Sequence, residues 1–371
     1  MNSIFVELNF FGSFFFCSKI KCVTLCQNSH AVASGSDRGT IHIFSIEHSL
    51  KGNVYKYNKT NKIKSLDECE GAIVELTHWN NDSQSLLVYG SNKGLVHGWD
   101  LRSKEEAWVL RNPKNLGLLE TFVVEPQRNW LVTGSNSGYF TLWDLRFNIP
   151  VKSWRHPLKQ RIYKLKFLGP TSSGGTCILS SSGVTNDMSA WDVETGMCKE
   201  YFRISPTDEN LAVPSLKPLE GSPLDYCIDD LQQMPNTKIS HHGIKSIYVQ
   251  SGSYLITGGD DHRIRYWDLK NFSNSRIICG LPEDFPTPKY VSSVAENVTV
   301  YQEFPNFKRS AEETMLTSSN NNNSNNYFSG QPSSLRPPIS HSDTITDIKL
   351  VEEPHRMIIS ASRNGVIKVW K

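Results

Sequence analysis

The chain has 371 residues, 38% of them hydrophobic and 20% charged, with a formal net charge of +2. That is an ordinary globular composition, and its near-neutral balance argues against binding nucleic acid by phosphate neutralisation. Eight cysteines are scattered without a Cys-x-x-Cys pair, which reads as buried thiols of a reducing compartment rather than a disulfide framework or a zinc site.

The first stretch, Ile4–Phe16 (IFVELNFFGSFFF), is strongly apolar. Glu7 interrupts it, it is shorter than the roughly 20 residues of a membrane span, and no basic region precedes it as in a signal peptide. It reads as one or two aromatic strands. Residues 1–21 are set apart as a segment able to lend a strand, and residues 22–371 as the body of the protein.

A pattern then begins and recurs: a strand of small residues, a turn around Ser/Asn/Asp-x-Gly, and a strand ending in an aromatic. It runs through Ala33–Ile46, Val88–Arg102, Val132–Arg146, Leu179–Val193, Ile256–Leu269 and Met357–Lys371. The closing aromatics are Phe44, Trp99, Trp143, Trp191, Trp267 and Trp370, and Asp100, Asp144, Asp192 and Asp268 follow four of them. Ile73–Trp79, Leu119–Val124, Ile162–Phe167, Ile244–Val249 and Ile345–Leu350 precede the later copies and alternate in period two, as half-buried strands do. A repeat of roughly 40–45 residues ending in Trp-Asp is the sequence sign of a β-propeller, with four strands per blade. The expected fold is all-β, with six repeats recognisable.

Three stretches break the rhythm. Leu50–Asp67 is polar and reads as a surface connection. Residues 199–240 are proline-rich and read as a long loop with short ordered pieces. Residues 271–340 form the largest insertion, in which Lys289–Phe304 alternates well enough to supply an outer strand. Residues 310–338, with the Asn-rich run Ser318–Asn326, are expected to be disordered by composition.

The chain shows no motif for catalysis. It lacks a G-x-x-x-x-G-K-[ST] phosphate loop and a G-x-S-x-G elbow. Asp261-His262-Arg263 falls in a repeat turn, Asp284-Phe285-Pro286 lacks the Gly of a kinase Asp-Phe-Gly, and no His-x-x-x-His occurs. The acidic pairs Asp229-Asp230, Asp260-Asp261 and Glu352-Glu353 read as solvated loop charges. No catalytic, cofactor-binding or metal-binding residue is assigned, and no cofactor is expected. The residues singled out are structural: Trp99, Trp143, Trp191, Trp267 and Trp370 as anchors between strands.

The repeats resemble WD repeats, whose blades carry a tetrad of His, Ser/Thr, turn Asp and Trp. The resemblance implies such a set at His241 or His242, Thr257, Asp261 and Trp267, and a partial one at His341, Ser360 and Trp370, with Asn364 in the Asp place. Lys93, Ser137 and Arg38 occupy that place in earlier copies, so most blades must rely on apolar packing.

More specific wording lies in HSDTITDI and SASRNGVIKVWK at the end, in NWLVTGSNSGYFTLWDLRFNIPVKSWRHP (Asn129–Pro157), and in MSAWDVETG and IRYWDL. Over residues 20–371 this resembles the C-terminal WD-repeat region of the regulatory serine/threonine protein kinase subunit of the class III phosphatidylinositol 3-kinase complex, of the vacuolar protein sorting family. In that family a kinase domain and helical repeats precede a seven-bladed propeller. None of the family's ATP-binding residues can be carried over, and the chain is expected to be a C-terminal part, or a truncated product, beginning after the first blade.

The resemblance implies a non-catalytic scaffold for the lipid kinase catalytic subunit and its autophagy and endosomal subunits. Rab-type small GTPases are a further implied contact. The implied location is cytoplasmic and peripheral on endosome, vacuole or autophagosome membranes, through the complex. A generic interaction platform, such as a ubiquitin-ligase substrate receptor, is the alternative, and an enzyme built on a propeller is a third reading. The last hairpin has no sequence after it to supply an outer strand. The chain is therefore expected to form either an open six-blade arc or a strained ring in which Ile4–Phe16 pairs with Val366–Trp370.

Overall fold

The structure, a computed structural model, describes residues 19–26, 31–49, 54–66, 70–80, 84–103, 105–125, 127, 129–170, 175–182, 186–204, 243–250, 252–280, 287–295, 297–304, 341–352 and 356–370. The expected N-terminal strands in Ile4–Phe16, the tetrad His241 or His242, and the expected disorder at 310–338 lie outside the described residues.

The fold is all-β and forms six blades of a β-propeller. Blade 1 is β1 (Ile20–Cys26), β2 (Ala31–Ser36), β3 (Thr40–Ser49) and β4 (Val54–Ser65). Blade 2 is β5 (Ile73–Asn80), β6 (Ser85–Ser91), β7 (Leu95–Asp100) and β8 (Glu106–Arg111). Blade 3 is β9 (Leu119–Val124), β10 (Trp130–Ser135), β11 (Tyr139–Asp144) and β12 (Ile149–Arg155). Blade 4 holds β13 (Lys164–Pro170), β14 (Thr176–Ser181), β15 (Met188–Asp192) and β16 (Cys198–Ile204). Blade 5 is β17 (Ile244–Gln250), β18 (Tyr254–Gly259), β19 (Ile264–Asp268) and β20 (Arg276–Cys279). After the hairpin β21 (Lys289–Ala295) and β22 (Val298–Phe304), blade 6 is β23 (Ile345–Val351), β24 (Met357–Ser362) and β25 (Ile367–Trp370). Each blade is an antiparallel meander in chain order.

Local chemistry explains the recurrence. The glycine of the turn between second and third strands has positive φ, 98° at Gly94 and 82° at Gly138, where an L side chain would be strained. The small residues of the second strand make room for the next blade. A methyl group on Gly90 would lie 2.9 Å from Leu119, and one on Gly134 would lie 2.7 Å from Ile162. Five apolar clusters follow, one between each successive pair of blades from blade 1 to blade 6. Burial of these inter-blade faces is the main stabilising term, at about 25 cal/mol per Å² of apolar surface.

The structure corrects five expectations. Val54–Ser65, read as part of a surface connection, is the outer strand of blade 1; the free backbone edge of β3 needs a partner. The segment 199–240 begins not as a loop but inside β16, which runs to Ile204. Ile20 and Lys21, placed in the N-terminal segment, already belong to β1. Lys289–Phe304 gives two strands rather than one, and they join blade 4, where β22 pairs in parallel with β16. Such a parallel pairing reaches back across a whole blade, which alternation alone cannot specify. The strand expected at Ile162–Phe167 starts two residues later, at Lys164.

Candidate interaction surface

The five tryptophans all sit in the blade interiors, each at most 5% exposed. Their indole N–H groups fall into two classes. Trp267 Nε1 donates to Thr257 Oγ1 at 2.9 Å, Trp370 Nε1 to Ser360 Oγ at 2.8 Å, and Trp191 Nε1 to Ser189 Oγ at 2.8 Å. The indole N–H groups of Trp99 and Trp143 have no hydrogen-bond partner. Blades 4, 5 and 6 thus tie the Trp to a hydroxyl, while blades 2 and 3 hold it by packing.

His341 completes the blade 6 set, with Nε2 2.7 Å from Ser360 Oγ. Asn364 stands aside and donates to Ser342 Oγ at 3.0 Å. His341 Nδ1, where an aspartate would accept, has no partner. Burial, then the nearby Lys368, holds His341 down at about 4, against an ordinary value near 6.5. Asp261 is described without the histidine that the tetrad pattern sets beside it, which lies outside the described residues. Its carboxylate lies 2.6 Å from the guanidinium of Arg265, a fully buried cation that also meets Glu303 of β22 at 2.8 Å. Tyr290 of β21 donates to the same Glu303 carboxylate at 2.9 Å. The inserted hairpin is therefore clamped to blade 5 as well as paired with blade 4.

Two tetrad-like residues escaped the sequence reading. His156 is buried and meets Trp191 edge-on, 5.6 Å between ring centres, with burial holding it at about 4. In blade 3, Asn112 takes the histidine place and donates to Thr133 Oγ1 at 3.1 Å. The available signal was position: both fall between the outer strand of one blade and the first strand of the next.

The aspartate after each Trp has a local task. Asp144 Oδ1 accepts from the Arg146 backbone N–H at 2.9 Å, and the same pattern holds at Asp100, Asp192 and Asp268. It caps the turn into the outer strand. Arg146 adds two side-chain bonds to Asp144, which hold that carboxyl below the usual range.

In the central channel, Glu75 of blade 2, Thr121 of blade 3 and Lys164 of blade 4 converge. Lys164 Nζ lies 2.7 Å from Glu75, and Thr121 donates to the same carboxylate at 2.7 Å. Burial pushes the Glu75 carboxyl up, but the cations Lys164 and Lys166 more than offset it, and its pKa ends below the ordinary value. Burial brings Lys166 down to about 8. Among the described residues, no group of three or more His, Cys, Asp or Glu is placed to hold a metal ion. No helix of the described residues is long and apolar enough to cross a membrane.

A recess lies on the rim between blades 3 and 4. It is a cavity of about 470 Å³ with mainly apolar walls, among them Trp130, Leu142, Val151 and Val193. Lys152 fixes its edge by donating to the backbone carbonyls of Glu194 and Thr195 across the blade boundary. Beside it, Phe147 is 68% exposed, and Ile149, Val151 and Met197 are exposed as well. The Arg146 guanidinium sits 5.5 Å from the Phe147 ring centre, which steadies the ring in solvent. Clustered exposed apolar side chains of this kind mark protein interaction sites.

Comparison with known proteins agrees with this architecture. The family described as "WD domain, G-beta repeat" matches residues 233–268 and 333–371. A protein named "Serine/threonine-protein kinase VPS15" from Arabidopsis thaliana is 31% identical over 381 residues, covering 95% of this chain and 24% of the relative. A "Probable serine/threonine-protein kinase vps15" from Dictyostelium discoideum is 26% identical over 457 residues, covering 95% and 23%. The chain thus spans about a quarter of the length of these relatives. A solved structure titled "Structure of U3-55K" superposes with a TM-score of 0.51 at 11% identity, covering 95% of this chain and 96% of the other, and shows the fold alone. The chain is a WD-repeat β-propeller and corresponds to the WD-repeat region of the VPS15 family.

Proposed function

We propose that the chain is a non-catalytic scaffold and regulatory module of a phosphatidylinositol 3-kinase complex. Its contacts would hold the lipid kinase catalytic subunit together with autophagy and endosomal subunits, in support of vacuolar and endosomal protein sorting. Rab-type small GTPases are a further class of partner. The protein would work in the cytoplasm and reach endosome, vacuole or autophagosome membranes through the complex. The lipid kinase chemistry belongs to the partner.

One observation carries this reading: 95% of the chain aligns with proteins named VPS15. The geometry supports it, since a propeller with an apolar rim recess suits a platform. Fold alone does not name a partner, so the test is biochemical. The full-length gene product, affinity-purified from its own cells, is expected to bring down a lipid kinase that phosphorylates phosphatidylinositol at the 3 position. A Phe147→Asp, Val151→Asp double variant, with unchanged thermal unfolding, is expected to recover at least ten-fold less of it. Purification of the wild-type protein without any such kinase overturns the proposal.

A further inference from the structure

The first strands of the blades line the central channel, and their registers sort the side chains there into layers. Cys22 stands opposite Gly35, Glu75 opposite Gly90, Thr121 opposite Gly134, Lys164 opposite Ser181, Ser246 opposite Gly258 and Asp347 opposite Ala361, in each case a small residue near the end of the second strand. In this layer the charges are met. Lys164 and Thr121 hold Glu75, and Ser246 donates to Asp347 at 3.4 Å.

Side chains two apart on a strand point to the same side. Two residues further along the first strands lie Thr24, Thr77, Val123, Lys166, Tyr248 and Lys349, opposite Ala33, Val88, Val132, Leu179, Ile256 and Ile359. This second layer carries ammonium groups and hydroxyls and no carboxylate. Lys349 is exposed and Lys166 partly so. Neither takes part in a hydrogen bond or ion pair among the described residues.

Charges of three blades act on Lys166. They are Glu75 of blade 2, Lys164 of its own blade, and Lys349 and Asp347 of blade 6, which places the ammonium group toward the channel axis rather than between neighbouring blades. Burial lowers its pKa to about 8, and the carboxylates of the first layer, already engaged there, do not restore it. A partly buried cation with no counter-charge of its own is unfavourable, and an anion relieves it. Phosphate groups suit the set, because ammonium groups supply charge-assisted bonds and hydroxyls supply neutral donors. A diffusible anion can pass Lys349 to reach Lys166, whereas a headgroup held in a bilayer cannot follow it inside the ring.

We infer that the channel holds a soluble polyphosphate anion, bound between Lys166 of blade 4 and Lys349 of blade 6, with Thr24 and Thr77 as hydroxyl donors. The site is independent of the partners proposed above.

The test titrates the full-length gene product with pyrophosphate and with myo-inositol hexakisphosphate by calorimetry. The double variant Lys166→Met, Lys349→Met is expected to bind them at least ten-fold more weakly, the loss of about one charge-assisted contact. Without anion it is expected to melt no lower than the wild type, since it loses an uncompensated cation, and only the wild type is expected to gain melting temperature when anion is added. A second reading needs no variant. N-hydroxysuccinimidyl acetate labels accessible lysines, and inositol hexakisphosphate is expected to slow labelling of Lys166 and Lys349 several-fold while that of the exposed Lys270 is unchanged. Equal affinity in the double variant, or labelling of Lys166 and Lys349 that the anion does not slow, overturns the inference. Binding only to vesicles of phosphatidylcholine with phosphatidylinositol 3-phosphate, and to neither soluble anion, overturns it as well.

Discussion

Two junctions of the ring, built from the same repeat, end up in opposite states. Between blades 4 and 5 the hairpin β21–β22 extends the outer edge of blade 4 and lays Tyr290 and Tyr301 on the Trp267–Phe272 cluster. Arg265, Glu303 and Asp261 bury their charges beneath it. Between blades 6 and 1 the described strands leave Ile20, Val23, Leu25 and Ile367 in solvent. The repeat supplies each blade with a sticky face and a free edge, and what covers the edge is decided elsewhere in the chain. At blade 4 the cover comes from an insertion downstream of blade 5.

The largest expected effect breaks the covered junction. Arg265→Met leaves Glu303 and Asp261 buried without their cation, a loss of about 3–5 kcal/mol, read by urea unfolding. Hydrogen exchange in β21 and β22 is expected to rise to that of an open edge. Retained protection there would mean that the parallel pairing with β16 holds the hairpin without the clamp.

At blade 6, Ser360→Ala removes the shared partner of Trp370 and His341 and leaves both polar groups buried and unsatisfied. The expected loss is about 1–3 kcal/mol. The comparison is sharpened by Trp143→Phe, which deletes an indole N–H that makes no bond and is expected to cost less than Trp370→Phe in the same unfolding assay. Equal costs would refute the division between networked and packed blades.

The pH response follows from the two buried imidazoles. His156 and His341 are both held at about 4, below the unfolded value near 6.5. The unfolded chain therefore binds more protons between these values. The stability from keeping the imidazoles neutral is complete above pH 6.5 and is lost as pH falls toward 4. The thermal midpoint should drop over that window, and less steeply in His156→Gln.

The smallest effect has the opposite sign. Glu200, on β16 under the hairpin, has a buried carboxylate oxygen without a partner, and burial raises its pKa. A raised carboxyl favours folding below the unfolded value near 4.3 and loses that advantage as pH rises through the folded value. Glu200→Gln is expected to raise the melting temperature slightly at pH 7 and to leave it unchanged below pH 4. A destabilised variant at pH 7 would show that Glu200 is charged and paired there.

The blades were legible because their determinants are local. Trp99, Trp143, Trp191, Trp267 and Trp370 close third strands, the turn glycines need positive φ, and the first strands alternate in period two. Asn112 was missed because its type differs from the tetrad histidine although its place is the same, and His156 because only the strands on either side of it mark its place. Asp261 was assigned to the tetrad by its turn position. Its partner Arg265 can be seen as such only when Glu303, 38 residues further along, is folded over it.

The sequence by itself determined the all-β architecture, the six blades and the kinship of the chain, since strand period, turn chemistry and Trp spacing act over a few residues. Only the tertiary structure decided which edge the inserted hairpin covers and which buried charges pair. Those outcomes depend on residues far apart in the chain meeting at one junction, where burial makes an unpaired charge or an uncovered apolar face unfavourable.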